Sequence, residues 1–547
     1  RMADLESAPR LRFDTAKNFF DRLNKHKETI ETWVGELYLE LHRGTLTTHA
    51  LVKKQNRKLE YKLRAVEMFW ACLPLKTYPF EELDSLWKKL LINQFHDIIP
   101  GSSINLVYQT THKEYEEIHE GCDGLISKAG QALFDNDPDS FVLANTLSYS
   151  WQGMVYIPEP FSGYSILDEN GQPVPLQKTA DGFAAAVDLK PLSFTTFRKG
   201  EPVESKMKKG EHLFLENALI RYEFDTNGQL VSAFDKEVKK DVLTGVGNVL
   251  SIYEDRPNDW DAWDVDFYYR DALLETAAVT NAAPGSTGDV VQELKFSLSI
   301  GNSKIEQTVS LNPNSKRLDF YTSIDWKEKH KMLRVHFPVN VRSERASFDI
   351  QYGHVKRNTH RNTSWDKAKF EVVGHKYADL SDHDYGVALM NDCKYGYMVH
   401  DNILDLNLLR SPNNPDPDAD QGDHEFTYSL FPHQYDLIRS DVLAESACLN
   451  QRPILFEGAA SNKKMPVGLT GDGLELSVLK KAEKEDVCII RIVETAGRES
   501  TGSLELNGTI TECDLMELKN IGAPESVKNE TEISLLPFEI KTYKITL

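Results

Sequence analysis

The stretch NQFHDIIPGSS, residues 93–103, sets a histidine beside an aspartate just ahead of a Pro-Gly stop. A neutral imidazole can ligate a metal ion, and a neighbouring carboxylate can accept hydrogen bonds from hydroxyl groups. His96 and Asp97 therefore have the residue types of a site that grips a hydroxyl-rich ligand. By spacing alone, a solitary helical histidine is more often a solvated or capping residue.

Other clusters offer related chemistry. DWDAWD supplies Asp259, Asp261 and Asp264 on what reads as a loop, with Trp260 and Trp263 expected to pack against a sheet. DPDADQGDH supplies Gln421, Gly422 and His424. Its first residues suggest a calcium loop, but an EF-hand needs Gly at the sixth position and Glu at the twelfth, where Gln421 and Thr427 stand. Asp379 and His383 of HKYADLSDH sit at strand spacing and read as a polar face. Arg43 of LHRGT is either a rim contact for a ligand or a partner of Glu36 or Glu40. A His-Asp doublet is also found in metal-dependent phosphohydrolases, which need further ligands on adjacent helices. His42, His49, His112 and His119 do not supply that arrangement.

These residues must be held by two kinds of element. From about residue 14 to 134 the apolar residues recur at helical spacing. Asp14 or Thr15 caps a first helix with Phe19, Phe20 and Leu23 as its stripe. A second carries Leu59, Leu63, Val66, Phe69, Trp70 and Leu73, a third runs from about Pro79 to Ile99, and a fourth begins after Ser102 or Ser103. On the third helix Leu83, Leu86, Trp87, Leu90, Leu91, Phe95 and Ile98 share a face, with His96 on the opposite side and Asp97 about 100° further round. Short connections make four such helices a small bundle. Beyond about residue 140 the period becomes two. LKFSLSI puts Leu294, Phe296, Leu298 and Ile300 on one face, Gly301-Asn302 turns the chain, and LDFYTSIDW repeats the pattern. DVCIIRIVET and FEIKTYKITL are further strands. GEPVESKMKKGEH and EGAASNKKMPVGL read as linkers. The fold class is multidomain α+β, an N-terminal antiparallel helical bundle followed by antiparallel β-sandwich domains. The expected division is 1–135 for the bundle, 136–204 for a small β unit and linker, 205–445 for a large sandwich and 446–547 for a terminal one.

The chain of 547 residues has 84 acidic and 63 basic residues and a net charge of −21, which disfavours nucleic acid and anionic membranes as partners and leaves a neutral polyhydroxylated ligand unaffected. No apolar run approaches the length of a membrane span. Six scattered cysteines form no CxxC pair, as expected of reduced thiols in a cytoplasmic protein. Without secretion, the N-x-S/T triplets at Asn362, Asn507 and Asn529 are chance matches. RMADLESAPRLRF is neither a signal peptide nor an ordinary initiator, and reads as the edge of a chain cut from something longer.

LWKKLLINQFHDIIPGSSINLVY closely resembles the helical-domain motif of glycoside hydrolase family 38, the retaining α-mannosidases. GELYLELHRGTLTTHALVKKQNRKLE, LANTLSYSWQGMVYIPEP, DWDAWDVDFYY and LLRSPNNPDPDADQGDHEFTYSLFPH are similar to other parts of that family, as is HRNTSWDKAKFEVVGHKYADLSDHDYGVALMNDCKYGY. The likeness runs over roughly residues 10–545 and is strongest to the cytosolic and bacterial branch. The resemblance implies a mutarotase-like supersandwich for the large β domain. It implies a zinc ion held by two aspartates and two histidines, of which His96 would be one. The remaining ligands, the nucleophile and the acid/base would come from an N-terminal barrel upstream of this chain, so the chain alone should be inactive. The implied reaction is double displacement with retention on a mannose-containing oligosaccharide or glycoside. Asp97 would sit beside the sugar hydroxyls, with Arg43, Asp261, Asp264, Gln421 and His424 as further substrate-binding candidates. A homo-oligomer is compatible with this reading. The alternatives are a stand-alone carbohydrate-binding assembly without catalysis, a hydrolase of a small mannosylated solute, and a mutarotase-like epimerase using His424 and Glu425. Adjacent strand residues face opposite ways, which weighs against the last.

Overall fold

A computed structural model describes residues 6–461 and 464–546. Asn462 and Lys463, inside the second expected linker, lie outside the described residues, as do residues 1–5 of the opening segment. Residues up to Leu39 form one compact unit and those from Glu40 onward another.

In the first unit, α1 (Ala16–Leu23) starts where expected, with the Thr15 hydroxyl accepting from the Asn18 N–H at 3.2 Å. Phe19, Phe20 and Leu23 remain exposed. α1 thus belongs to the first unit, and the helices of the second unit's N-terminal part are α2 (Ala50–Ala71), α3 (Phe80–Asn93) and α4 (Asn105–Leu133).

α3 stops six residues short of the expected Ile99. The Asn93 amide turns back to donate to Lys89 O (2.9 Å) and reaches Glu114 on α4 (2.7 Å). The Gln94 side chain is drawn across to Asn56 and Glu60 on α2. Pro100 then bars the helical region to the residue before it. With the helix ended, Phe95 leaves the apolar face assigned to it and is 61% exposed.

The large β domain pairs a nine-stranded and a six-stranded antiparallel sheet. The alternation read from the sequence is realised here. Gln292–Ile300 pairs with Ser303–Leu311 across the two-residue turn Gly301-Asn302, and Leu318–Trp326 follows with its alternate side chains buried. Phe320 of the nine-stranded sheet meets Phe337 of the other at 5.8 Å, so the sheets pack face to face. Asp379, read as part of a polar face, is fully buried and takes a hydrogen bond from His433 Nε2 at 2.8 Å.

The helices share a hydrophobic core with the terminal β domain: Leu59, Leu63 and Val66 of α2 pack with Leu476, Ile490 and Ile492. Polar groups on the same helix fix its rotation. Arg57, buried, donates to the carbonyls of His375 and Lys394 and to Asn391 in the large sandwich. Arg64 donates to Ser477 O at 2.8 Å in the terminal one.

Glu67 makes this seam sensitive to pH. Burial pushes its carboxyl up to about 7, against the pull of Lys480 and a hydrogen bond from Trp87. A carboxyl raised in the fold binds its proton more tightly there than in the unfolded chain, so its penalty is absent below about pH 4.5 and grows until pH passes 7. Glu67→Gln is expected to raise stability at pH 8 by on the order of 1–3 kcal/mol and to change little at pH 4.5. Urea denaturation at both values measures this; an equal effect at both would contradict it.

Candidate functional site

The N-terminus of α2 carries unpaired N–H groups and a partial positive charge. No side chain of its own segment caps it. Asp420 does, its carboxylate accepting from the N–H of His49 and of Ala50, each at 2.7 Å. DPDADQG is thus a capping loop. Asp416 stands 3.2 Å from His49 Nε2 and accepts from Asn105 at 3.1 Å. Burial would raise the Asp416 carboxyl, but His49, the Asp418 N–H and Asn105 outweigh it and hold the carboxyl below its usual range. Asp420→Ala should cost about 1–2 kcal/mol, the ordinary worth of a helix cap, read as a lower melting temperature. An unchanged transition would mean that water serves those N–H groups equally well.

The capping cluster is tied to the His-Asp turn by two aromatic groups. The His49 ring stacks on Tyr108 at 3.6 Å. The Tyr108 hydroxyl donates to Asp97 O (3.1 Å) and accepts from the Ser103 N–H (2.8 Å). The Asp97 carboxylate accepts from Ser102 Oγ at 3.0 Å and is half-exposed. The His96 side chain is 75% exposed, lies against Phe95 and has Asp97 Oδ2 at 3.8 Å. An imidazole and a carboxylate thus project into solvent from a turn whose backbone is fixed.

On the other side of the same helix start, residues 43–48 are clamped to the DWDAWD loop. The Gly44 N–H donates to Trp263 O at 2.7 Å and Thr48 Oγ1 to Ala262 O at 3.0 Å. Only glycine fits at 44, because a Cβ would stand 2.3 Å from Arg410 Nη1 and 2.9 Å from Asp264 O. Arg410 also donates to Ala262 O and pairs through Nε with Asp255 Oδ2 at 2.6 Å, both side chains wholly buried.

Two expected site residues meet directly: Arg43 Nη1 is 3.2 Å from Asp264 Oδ1, with only 10% of each side chain exposed. Arg43 also donates to Ala368 O and to Glu40 O and covers the Phe370 ring. Burial raises the Asp264 carboxyl despite that guanidinium. Asp261 accepts from the N–H of Asn413 (2.7 Å) and Asn414 (3.0 Å). Gln421 donates to Glu328 O at 2.6 Å. His424 is buried, with Nε2 2.9 Å from Asp420 O, and burial lowers its pKa. His424 and Glu425 do face opposite ways, one buried and one exposed. These five side chains therefore fasten loops to one another, and the groups left open are His96 and Asp97. Trp260, expected to pack, is 62% exposed with its backbone at φ +62°.

Among the described residues no three His, Cys, Asp or Glu side chains converge as a cation site. Four donors are usual for zinc and His96 is one, so the residues here do not fit a complete metal site. Sequence reading missed Asp420 as a cap, weighed His49 only as a metal ligand, and did not single out Tyr108 or Arg410. The signal for Asp420 was visible as an acidic loop without calcium spacing, but its target, the α2 N-terminus, lies on another domain.

Three family descriptions match: the alpha mannosidase middle domain over residues 40–133, the glycosyl hydrolases family 38 C-terminal domain over 215–418, and that family's C-terminal beta sandwich domain over 473–543. The chain is 34% identical over 570 residues to alpha-mannosidase 2C1 of Homo sapiens, with 100% of this chain and 54% of that protein covered. It is 33% identical to alpha-mannosidase G of Dictyostelium discoideum, covering 99% of this chain and 55% of that one. It is 31% identical to an alpha-mannosidase of Saccharomyces cerevisiae, covering 97% and 50%. The chain spans about half the length of these relatives. The crystal structure of an alpha-mannosidase from Enterococcus faecalis V583 has the same fold, with a TM-score of 0.77 at 17% identity over 96% of this chain and 72% of that one.

Proposed function

Since this chain belongs to glycosyl hydrolase family 38, whose middle and C-terminal domains it carries, we propose that it is part of a retaining α-mannosidase that removes terminal α-mannose from oligosaccharides or glycosides. The observation that carries this reading is the likeness to named alpha-mannosidases along the whole chain. His96 and Asp97, open on a fixed turn, support it as the groups offered to the sugar. Retaining hydrolysis needs two carboxyl groups about 5–5.5 Å apart across the scissile bond, one as nucleophile and one as acid and base. We assign both to the part of the protein outside this chain. His96 would contribute one donor to a zinc ion completed by that part, and Asp97 would accept hydrogen bonds from sugar hydroxyls. Arg43, Asp261, Asp264, Gln421 and His424 would act by holding the loops around that turn. The six unpaired cysteines favour a cytoplasmic setting for the same reading.

The test is release of 4-nitrophenol from 4-nitrophenyl α-D-mannoside by the complete protein and by this 547-residue chain, each with and without a chelator. The expected result is turnover by the complete protein alone, abolished by chelation and restored by zinc. Absence of turnover by the complete protein with any divalent metal would overturn the hydrolase reading and favour a carbohydrate-binding assembly. Turnover by this chain alone would overturn the division of the site between two parts.

A further inference from the structure

The six-stranded sheet of the large β domain has one face against its partner sheet and one turned outward. On the strand Lys331–Pro338, Leu333, Val335 and Phe337 are wholly buried, and Phe337 meets the partner sheet. Met332, Arg334 and His336 therefore point the other way, with Asn407 opposite Arg334 and Asp405 opposite His336 on the next strand. Two segments roof that outer face: Val265 and Tyr269 from one and Phe370 from the other pack with Met332.

The roof gathers cations around an unmatched phenol. Arg334 Cζ lies 5.4 Å and Arg270 Cζ 5.8 Å from the centre of the Tyr269 ring. Arg361, from the second segment, interacts with the same phenol. The Tyr269 hydroxyl, Arg270 Nε and Arg334 Nη2 are all closed off from solvent, and none has a hydrogen-bond partner. Enclosed polar groups are seldom left so. Burial pushes the phenol up to about 12, so it keeps its proton and can donate.

Arg334 is matched on its other sides, donating through Nε to Asp405 and through Nη1 to Glu371. Arg270 and Arg361 are not: among the described residues neither side chain forms an ion pair or a hydrogen bond. Asp401 acts on Arg361 without pairing with it, and is 74% exposed. Burial and the Arg270 charge both work against the Arg361 guanidinium. Two like charges held side by side, in a chain of net charge −21, call for a counterion. Burial lowers the pKa of His336, which adds a neutral ring with one N–H at the edge.

The wall identifies the kind of ligand. Three guanidinium groups against Asp405 and Glu371 leave a net positive charge, and the three orphaned groups can all donate. A cation gains nothing there. The donors arrive from the sheet below and from two segments above, which suits an oxyanion with acceptors in several directions. A planar carboxylate is served by one guanidinium fork.

We propose that this outer face of the six-stranded sheet binds a phosphate group, inorganic or carried on a small phosphomonoester, through Arg270, Arg361, Tyr269 and Arg334. The site is separate from the His-Asp turn. Met332 stands opposite Arg410, which touches Thr48, and His336 is four residues, about 13 Å, further along the strand. The proposal does not depend on the hydrolase reading, since none of these four residues is assigned a part in that reaction.

Calorimetric titration of this chain with inorganic phosphate and, separately, with glycerol 3-phosphate, both at constant ionic strength, tests it. The expected result is saturable binding of at least one of them with a millimolar or tighter Kd. Tighter binding of the ester assigns the site to phosphomonoesters, and the reverse assigns it to free phosphate. Arg270→Gln and Arg361→Gln should each weaken binding at least about tenfold. Arg361 is exposed, so its replacement should leave the melting temperature unchanged, and its effect then reports on binding alone. Tyr269→Phe should weaken binding several-fold, and His96→Ala should bind as the parent does. No saturable binding of either ligand, or binding unaffected by both arginine substitutions, would overturn the proposal. So would loss of binding in His96→Ala, or equal or tighter binding of succinate.

Discussion

His96→Ala in the complete protein is expected to lower kcat/KM for 4-nitrophenyl α-D-mannoside by about 10²–10³-fold, the usual cost of removing one positioned donor. The same substitution should leave the melting temperature within error. The second half of this prediction follows from placement: the side chain is 75% exposed, stands 3.8 Å from its nearest acidic neighbour, and supports no other element. Surface substitutions of that kind usually change stability by less than about 0.5 kcal/mol. A loss of rate without a loss of stability would therefore report on the reaction itself. Asp97→Asn is the informative companion, because it keeps the hydrogen bond from Ser102 while removing the charge. Unchanged kcat/KM in His96→Ala would remove the histidine from the site and leave the doublet as surface.

The largest expected effect on stability is at Asp255. Its carboxylate and the Arg410 guanidinium, 2.6 Å apart and shielded from water, are joined below the loops that carry Ala262 and Asp264. Burial works to raise the Asp255 carboxyl, and Arg410 opposes it. Removing one member of a buried pair leaves the other charge uncompensated, at a cost of about 3–5 kcal/mol. Asp255→Ala should therefore destabilise by that amount and loosen the DWDAWD loop, raising hydrogen exchange at Ala262–Val265 before global unfolding. The double replacement Asp255→Leu with Arg410→Met should recover much of the loss, since no charge is then stranded. If the single substitution costs less than about 1 kcal/mol, water reaches Arg410 and the pair is not sealed as described.

Legibility from sequence followed the range of the interactions. Strands were readable because alternation is local: Leu294 to Ile300 and Leu318 to Trp326 each declare a buried face within nine residues, and Gly301-Asn302 declares the turn. Helix starts were also readable, as at Thr15. The end of α3 was not, because the residues that stop it, Asn93 and Gln94, do so partly by reaching Glu114, Asn56 and Glu60 on other helices. The His-Asp doublet stood out through the phrase around it. Arg43, Asp261, Asp264, Gln421 and His424 were recognisable as belonging to one neighbourhood, but residue type alone does not separate a carboxylate that binds a ligand from one that binds backbone N–H groups. Asp261 does the latter. Arg57, Arg334 and Arg410, buried cations in strands and helices, carry no local mark at all.

The cap on α2 also imposes an order on biosynthesis. The N–H groups of His49 and Ala50 are translated some 370 residues before the carboxylate that receives them. In a nascent chain α2 thus has an uncapped end throughout the synthesis of the segment between them. Helices in proteins owe most of their stability to tertiary packing, and contacts this distant in sequence form slowly. Ribosome-bound chains ending before Asp420 should therefore hold α2 in a fraying, protease-accessible form that tightens once the capping loop emerges. The bundle precedes the β domains in the sequence, yet one of its helix ends is completed only by the large sandwich.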